Sequence, residues 1–368
     1  RQIDVKCPVL QRMTDMIAHR GPDSEGHYID EHAALGHRRL SIIDLGGGQQ
    51  PIYNEDGSKV ITFNGEIYNY QTLREELIAA GHTFTTKSDT EVLLHGYEQW
   101  GVDLLQRVRG MFTFVIWDKN KQELFGARDH FGIKPFYYAK MNGTFMYASE
   151  IKSLLRHPDF VKELNAEALK PYMTFQYPAI GETFFKGVYK LPEGHYFTYR
   201  DGKMDIHRYY DEDFREGKQK LGELVNSIDQ TVCDSVKAHQ IADVEVGSFL
   251  SSGVDSSYVA AVARPQHTYS IGFGKGTYNE SQQAGELAEL LKLNNTAESL
   301  TDEEAFAAFP RIQWHLDEPD SNPSCVPLYF LSALAAKDVK VVLSGEGADE
   351  LFAGYIDYGV HTKFRPIK

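Results

Sequence analysis

The sequence predicts two domains of different class: an α+β domain of layered, largely antiparallel sheets over residues 1–210, then an α/β domain on a doubly wound parallel sheet over residues 211–368. Three observations carry that prediction. At 368 residues the chain is longer than one hydrophobic core usually serves. Its first part strings short apolar strands together through tight turns, whereas its second part alternates apolar strands with helical patterns. A polar stretch, DEDFREGKQKLGE from Asp211 to Glu223, marks the change.

In the first part, MFTFVIWDKNKQELFGARD and PFYYAKMNGTFMYAS each read as two strands and a turn. The second turns on Asn142-Gly143, a pair that accepts the positive φ values of a tight hairpin. Two helices interrupt the strands: YQTLREELIAAG, from Tyr70 and stopped by Gly81, and TEVLLHGYEQWG, from Thr90 and stopped by Gly101. SDTE, Ser88 to Glu91, fits a capping box at the head of the second. Strands joined as hairpins, with a few helices inserted, make an α+β domain.

The second part runs helix (near 222–240), strand VEVGSFL, helix from Val254, strand HTYSIGF, helix NESQQAGELAELLKL, a short strand near Thr296, two helices and strand KVVL. Such alternation builds a parallel sheet, whose ligands bind beyond the carboxyl ends of its strands. FLSSGVDSS, Phe249 to Ser257, and SGEGADE, Ser344 to Glu350, both fall at such ends.

Composition narrows the function further. Acidic residues outnumber basic ones 52 to 38, for a formal net charge of -14, and no Lys/Arg run is long enough to track a phosphate backbone; a nucleic-acid partner is not expected. Cys7, Cys233 and Cys325 are too few and too scattered for a disulfide framework or a cysteine zinc site, and they fit a reducing cytoplasm. No apolar run approaches the roughly 20 residues that span a bilayer, and the N-terminus lacks a charged-then-apolar signal, so no membrane partner is expected.

FLSSGVDSS sets serines and a glycine between a buried strand and the first turn of a helix. Unpaired amides and a partial positive charge there favour an anion. The hydroxyls of Ser251, Ser252, Ser256 and Ser257 add donors, and Gly253 lets backbone come close. Asp255 would repel a phosphate unless a divalent cation lay between them, which assigns it to magnesium. GxxxxGK[ST] is absent, so this is not the Walker loop. Alone, the segment reads equally well as a serine-rich turn whose Asp255 caps the helix. SGEGADE shifts that balance, because Glu346, Asp349 and Glu350 at a second strand end would repel one another without a cation. One shared metal-nucleotide site accounts for both loops.

The first loop resembles the pyrophosphate loop of the ATP pyrophosphatase group, usually written SGGxDS, and VVLSGEGADELFAGY resembles the matching signature of asparagine synthetases. HRGPDSEG, HRRLSIID, FNGEIYN and KSDTEV, in that order, resemble a class II glutamine amidotransferase domain of Ntn-hydrolase-like fold. Six motifs in one order, covering nearly the whole chain, make it similar to the bacterial-type glutamine-hydrolysing asparagine synthetases.

That resemblance implies an ATP- and Mg2+-dependent amidation of aspartate, fed by ammonia from glutamine, through β-aspartyl-AMP with release of AMP and pyrophosphate. Its partners would be the small molecules glutamine, aspartate and ATP, its assembly a homodimer, and ammonia would cross a sealed passage between the domains. For glutamine, Arg39 in the run Arg39, Leu40, Ser41, Ile42, Ile43 matches the α-carboxylate position, Glu66 and Asp89 match the α-ammonium, and Asn64 and Gly65 match the oxyanion donors. For ATP, Leu250 and Ile271 match nucleotide contacts, Ser251, Ser252, Gly253, Asp255 and Ser256 the pyrophosphate loop, and Ser344 and Gly345 a second contact. Glu346 matches the acid linked with adenylate formation, and Asp255 with Asp349 forms the magnesium pair. Ser252 stands where the family usually has glycine, which bears on affinity.

Several of these residues also have a plainer reading. Asn64-Gly65 would serve as a hairpin turn, Asp89 as a helix N-terminal charge, and Arg39, like its neighbour Arg38, as half of a surface ion pair. Class II amidotransferases use a terminal cysteine whose own α-amino group is the base. Cys7 is not terminal and reads as a small residue at the start of a helix, so the nucleophile is expected on a strand ahead of residue 1, and further synthetase residues beyond Lys368. A β-lactam-synthetase-like adenylation and a catalytically silent scaffold are the rival functions; the glutamine residues oppose the first, the pyrophosphate loop the second.

Overall fold

The computed structural model describes residues 3–213, 215, 217–273, 281–356 and 358, with side chains from Lys6 onward. Its contacts divide the chain into two units, residues 1–218 with 313–322 and residues 219–312 with 323–368.

In the first unit, α1 (Ile3–Asp15) buries Val9 and Met13, four residues apart on one face. β1 (Ser24–Ile29) and β2 (Ala34–Arg39) form an antiparallel ribbon, and β3 (Ile52–Tyr53) lies along β4 (Lys59–Ile67). α2 (Tyr70–Ala79) and α3 (Asp89–Trp100) fall on the two predicted helices. β5 (Gly110–Asp118) with β6 (Glu123–Arg128), and β7 (Tyr137–Met141) with β8 (Thr144–Ala148), are the two predicted hairpins. The second hairpin turns through Asn142 and Gly143 at φ 50° and 78°, the left-handed region for which such a pair is suited. After α4 (Ile151–Leu154) and α5 (Leu169–Phe175), β9 (Val188–Lys190) joins β7, and β10 (His195–Arg200) with β11 (Lys203–Arg208) extends the main sheet.

The strands sort into a six-stranded antiparallel sheet, β11-β10-β6-β5-β4-β3, a three-stranded sheet, β8-β7-β9, and the β1-β2 ribbon. Val60, Val115, Trp117 and Phe197 of the large sheet pack with Phe136 and with Tyr28 and Leu35 of the ribbon. Val9, Met13, Ile151 and Leu154 cover Ala139, Met146 and Val188 of the small one. Full burial of side chains such as Leu, Ile and Phe contributes about 1.5–3 kcal/mol each, which makes these layers the frame of the unit.

One local expectation fails. Ser88 caps α3 by accepting the Thr90 amide at 3.2 Å, but Glu91 does not close a capping box. Its buried carboxylate accepts the amides of Thr85 and Thr86 at 2.8 and 2.7 Å, while the Ser88 amide donates to Thr86 Oγ1. A glutamate one turn into a helix folds back over the helix start in either case, and tertiary packing chooses which amides it meets.

The second unit alternates as predicted: α6 (Leu221–His239), β12 (Val246–Phe249), α7 (Val254–Ala263), β13 (His267–Phe273), α8 (Ser281–Leu291), β14 (Asn294–Leu300), α9 (Asp302–Leu316), α10 (Cys325–Ala335), β15 (Val341–Leu343) and the short α11 (Ala348–Phe352). The predicted start of α8 at Asn279 lies outside the described residues. All four strands are parallel, in the order β14-β13-β12-β15. Ala260 of α7 and Ala284 and Ala288 of α8 pack with Leu250 in one cluster. Tyr269 and Ile271, two apart and so on one face of β13, pack with Leu334 and Ala335 of α10 in another. The last residues of α9 and the turn after it belong to the first unit. Among the described residues no helix is long and apolar enough to cross a membrane.

Candidate active sites

In the first unit, β2, β4 and the start of α3 converge on a cavity of about 1010 Å³ whose wall includes Arg39, Leu40, Ile42, Ile43, Asn64, Gly65, Glu66 and Asp89. Ser41 is buried and is not among the wall residues; its backbone amide donates to Asp23 Oδ2 at 2.7 Å. Asn64-Gly65 lies inside β4, opposite Thr113 and Phe112, so the hairpin-turn reading falls. A Cβ on Gly65 would run into the Met111 carbonyl, so glycine is required there by strand pairing itself.

The electrostatics of this wall are those of a binding site. Arg39 is 6% exposed, and its Nη2 donates to the carbonyls of Ile43 and Asp44 at 2.7 and 2.9 Å, so it is not a surface ion pair. Arg38 is, pairing with Asp15 at 2.6 Å and Glu25 at 2.7 Å. Burial works against the Arg39 charge, and the carboxylates of Asp44, Asp89, Asp23 and Glu66 support it. Asp89 accepts the Ile67 amide at 2.9 Å; burial still pushes its carboxyl up to about 6. Burial, and after it the charge of Asp89, pushes Glu66 up to about 8. Asn64 Nδ2 and Glu66 Oε2 are buried without a hydrogen-bond partner. Orphaned buried polar atoms cost about 1–3 kcal/mol each, so they mark a place where a ligand completes the structure.

Sequence reasoning missed further wall residues. Lys134 lines the cavity; burial pulls its ammonium down, Arg20 adds to that, and Glu66 and Asp129 oppose it. His19 and Arg20 of HRGPD reach Glu150 Oε1 at 3.0 and 3.2 Å, and Lys152 bridges Glu150 at 2.6 Å and Asp317 at 2.8 Å. The signal for Lys134 was the polar loop RDHFGIKP after β6, where a lysine interrupts an otherwise apolar approach to β7. Cys7 sits in the second turn of α1, exposed and outside the cavity wall, not at the helix start.

In the second unit the two strand-end loops meet. β12 and β15 are adjacent, with Ser248 opposite Leu343, so SSGVDSS and SGEGADE leave the sheet side by side. A Cβ on Gly345 would lie 2.8 Å from the Ser256 amide nitrogen and 2.9 Å from Asp255 Cβ; only a glycine lets the second loop rest on the first turn of α7. The serines are held by one another: Ser251 Oγ and Ser256 Oγ are 2.8 Å apart, and Ser251 Oγ accepts the Gly253 amide at 3.0 Å. Ser344 Oγ accepts the Glu346 amide at 3.4 Å. Ser252, Gly253, Ser344 and Glu346 are exposed, and Asp255 and Asp349 half-buried, so the rim is open. Leu250 and Ile271 are held in the sheet: the Leu250 amide donates to the Tyr269 carbonyl at 2.9 Å, and Ile271 is paired with Glu298. Among the described residues the two loops of the rim offer oxygen donors and backbone amides, a set that fits magnesium better than any softer ion.

A buried, ligand-incomplete pocket on antiparallel sheets and an open oxygen-lined rim on a parallel sheet give each unit a candidate site of its own. Residues 2–210 match the family described as glutamine amidotransferase domain, and residues 227–366 the family described as asparagine synthase. The chain is 44% identical over 365 residues to glutamine-hydrolysing asparagine synthetase 1 of Bacillus subtilis, covering 98% of this chain and 58% of that protein. It is 33% identical over 380 residues to synthetase 3 of the same organism, covering 96% and 61%. A Methanocaldococcus jannaschii protein provisionally named as a second such enzyme is 34% identical over 378 residues, covering 95% of this chain and 73% of its own length. The chain belongs to the family of glutamine-hydrolysing asparagine synthetases. It spans about three fifths of the length of these two Bacillus relatives.

Proposed function

We propose that the protein carrying this chain makes asparagine from aspartate, ATP and ammonia drawn from glutamine. The observation that carries this reading is the pair of unpartnered groups in the cavity wall, Asn64 Nδ2 and Glu66 Oε2, set beside the buried Arg39 and Asp89. Glutamine is a zwitterion with a carboxamide, and it supplies what each group lacks. Arg39 holds the α-carboxylate, Glu66 and Asp89 take the α-ammonium, and Asn64 Nδ2 with the Gly65 amide donates to the carboxamide oxygen, where negative charge develops. An ammonium beside Glu66 favours its ionised form, so binding draws its pKa back down.

At the rim of the second unit, Ser251, Ser256 and the amides at the head of α7 receive the β- and γ-phosphates, and Glu346 orients the reacting carboxylate. Magnesium, when bound, would be held by Asp255 and Asp349 and would neutralise the phosphate charge. The aspartate β-carboxylate oxygen attacks the α-phosphorus, the bond to pyrophosphate breaks, and ammonia then displaces AMP from the acyl adenylate. The ammonia must arrive unprotonated and out of contact with water, because water would hydrolyse that intermediate. A cytoplasmic setting and a homodimeric assembly belong to the same proposal; three free cysteines suit the former, and sedimentation equilibrium decides the latter.

Product analysis tests the chemistry. The full-length protein given glutamine, aspartate and magnesium-ATP should yield glutamate, asparagine, AMP and pyrophosphate in equal amounts; ADP and phosphate as the main products would overturn it.

A further inference from the structure

Away from the glutamine cavity, the first unit brings Glu55, His82, His95 and Glu98 together, with ligand atoms all within 4.8 Å of one another. Glu55 lies in the turn between β3 and β4, His82 just past α2, and His95 and Glu98 three residues apart on α3. None of the four lines the cavity.

Both imidazoles turn the same nitrogen inward. His95 Nδ1 is 3.1 Å from Glu98 Oε2 and 3.5 Å from Glu55 Oε2, and His82 Nδ1 is 3.6 Å from Glu55 Oε1 and 3.9 Å from Glu98 Oε2. Their outer nitrogens already face acceptors: His95 Nε2 meets Glu91 Oε1 at 3.4 Å, and His82 Nε2 meets Gln99 Oε1 at 3.2 Å. An acceptor on Nε2 draws the proton there and leaves Nδ1 as a lone pair, the arrangement that orients histidine ligands. The carboxylates are anchored as well. Glu98 Oε1 accepts from Asn54 Nδ2 at 2.7 Å, with Lys59 Nζ at 3.4 Å, and Glu55 Oε1 accepts the Thr83 amide at 3.0 Å. Two lone pairs aimed at two carboxylates repel unless a positive charge lies between them.

We propose that Glu55, His82, His95 and Glu98 bind one zinc ion, which ties the β3–β4 turn, the segment after α2 and α3 into one rigid corner. A tetrahedral zinc with bonds of about 2.0–2.1 Å holds its ligand atoms about 3.3 Å apart. The four histidine–carboxylate separations, from 3.1 to 3.9 Å and shared between the two Glu55 oxygens, bracket that spacing, and all the ligand atoms lie within 4.8 Å of one another. Two imidazoles with two carboxylates suit zinc, whereas magnesium and calcium take oxygen alone. An imidazole nitrogen binds zinc only through its free lone pair, so zinc and protons compete for His82 Nδ1 and His95 Nδ1.

Calorimetric titration of the chelator-stripped protein with zinc chloride tests this, at pH 7.5 in two buffers of different ionisation enthalpy. The expected result is one zinc per chain, release of about one proton, and a higher Tm with zinc than without. His95 is fully buried, so its substitution endangers the fold; His82→Ala and Glu55→Gln, at the outer side of the cluster, are the informative variants. Each should fold and lose at least about tenfold in zinc affinity. Zinc uptake that is absent from the parent, or equal in the parent and both variants, overturns the proposal.

Discussion

The two candidate sites solve opposite problems. The cavity of the first unit is buried and incomplete, with a fixed cation, displaced carboxyl pKa values and two polar atoms without partners. The rim of the second unit is open, and its serines already bond one another. The cavity stores desolvation cost in the free protein, a cost recovered only by a ligand whose polar groups match its own. The rim stores little, so its ligand must bring its own charge and counter-ion. Selectivity resides in the first arrangement and adaptability in the second.

The sharpest way to break that comparison is to damage the buried frame. Lys152 neutralises Glu150 and Asp317, both nearly inaccessible. Lys152→Met should cost about 3–5 kcal/mol, read from urea denaturation, because it strips the buried Asp317 of its lysine and leaves Glu150 to His19 and Arg20 alone. A loss under 1 kcal/mol would mean that water reaches this pair.

Next come reciprocal losses of activity in the full-length protein. Asn64→Ala should lower glutamine hydrolysis about 10²- to 10³-fold, or about 2.7–4 kcal/mol, and leave synthesis from external ammonia intact. Asp255→Ala should stop AMP formation while glutamine hydrolysis survives. If Asp255→Ala abolished both reactions with its circular dichroism unchanged, the assignment of one chemistry to each unit would be wrong.

A smaller effect tests whether the two loops form one site. Gly345→Ala should raise KM for ATP and cost about 1–3 kcal/mol of stability, since the new methyl presses on Asp255 and Ser256. Unchanged KM would separate the loops. Subtler still is the pH profile of the free protein. A carboxyl whose folded pKa lies above its ordinary 4.5 stabilises the fold fully below that pH and loses the contribution as pH rises towards about 8. Tm should therefore fall from pH 5 to 8.5, and Glu66→Gln should flatten that fall; an unaltered slope would assign it to Asp89.

The elements legible in advance were those governed by neighbours in sequence. Asn142-Gly143 specifies its hairpin through backbone geometry, and the alternation from Leu221 to Leu343 specifies a parallel sheet because each strand is followed by a helix that returns the chain. Arg39, Asn64, Glu66 and Asp89 were legible as motif members, whereas the cavity that gathers them was not, because β2, β4 and α3 are brought together only by the fold. Glu91 was misjudged because its true partners, Thr85 and Thr86, are selected by packing. The Glu55, His82, His95, Glu98 cluster left one trace, a histidine and a glutamate three apart on a helix, while its other members come from segments brought close only by the fold.

The pairing of β12 with β15 bears on how the protein is made. Ser248 and Leu343 are 95 residues apart, whereas the hairpins of the first unit close within a few residues. At about 5–20 residues per second, β12 waits roughly 5–20 s on the ribosome before its neighbour is synthesised. Until then one edge of that strand is open to other chains. The rim of the second unit is thus a late product of translation, and a slowed ribosome between Ser248 and Leu343 endangers it more than any delay within the hairpins.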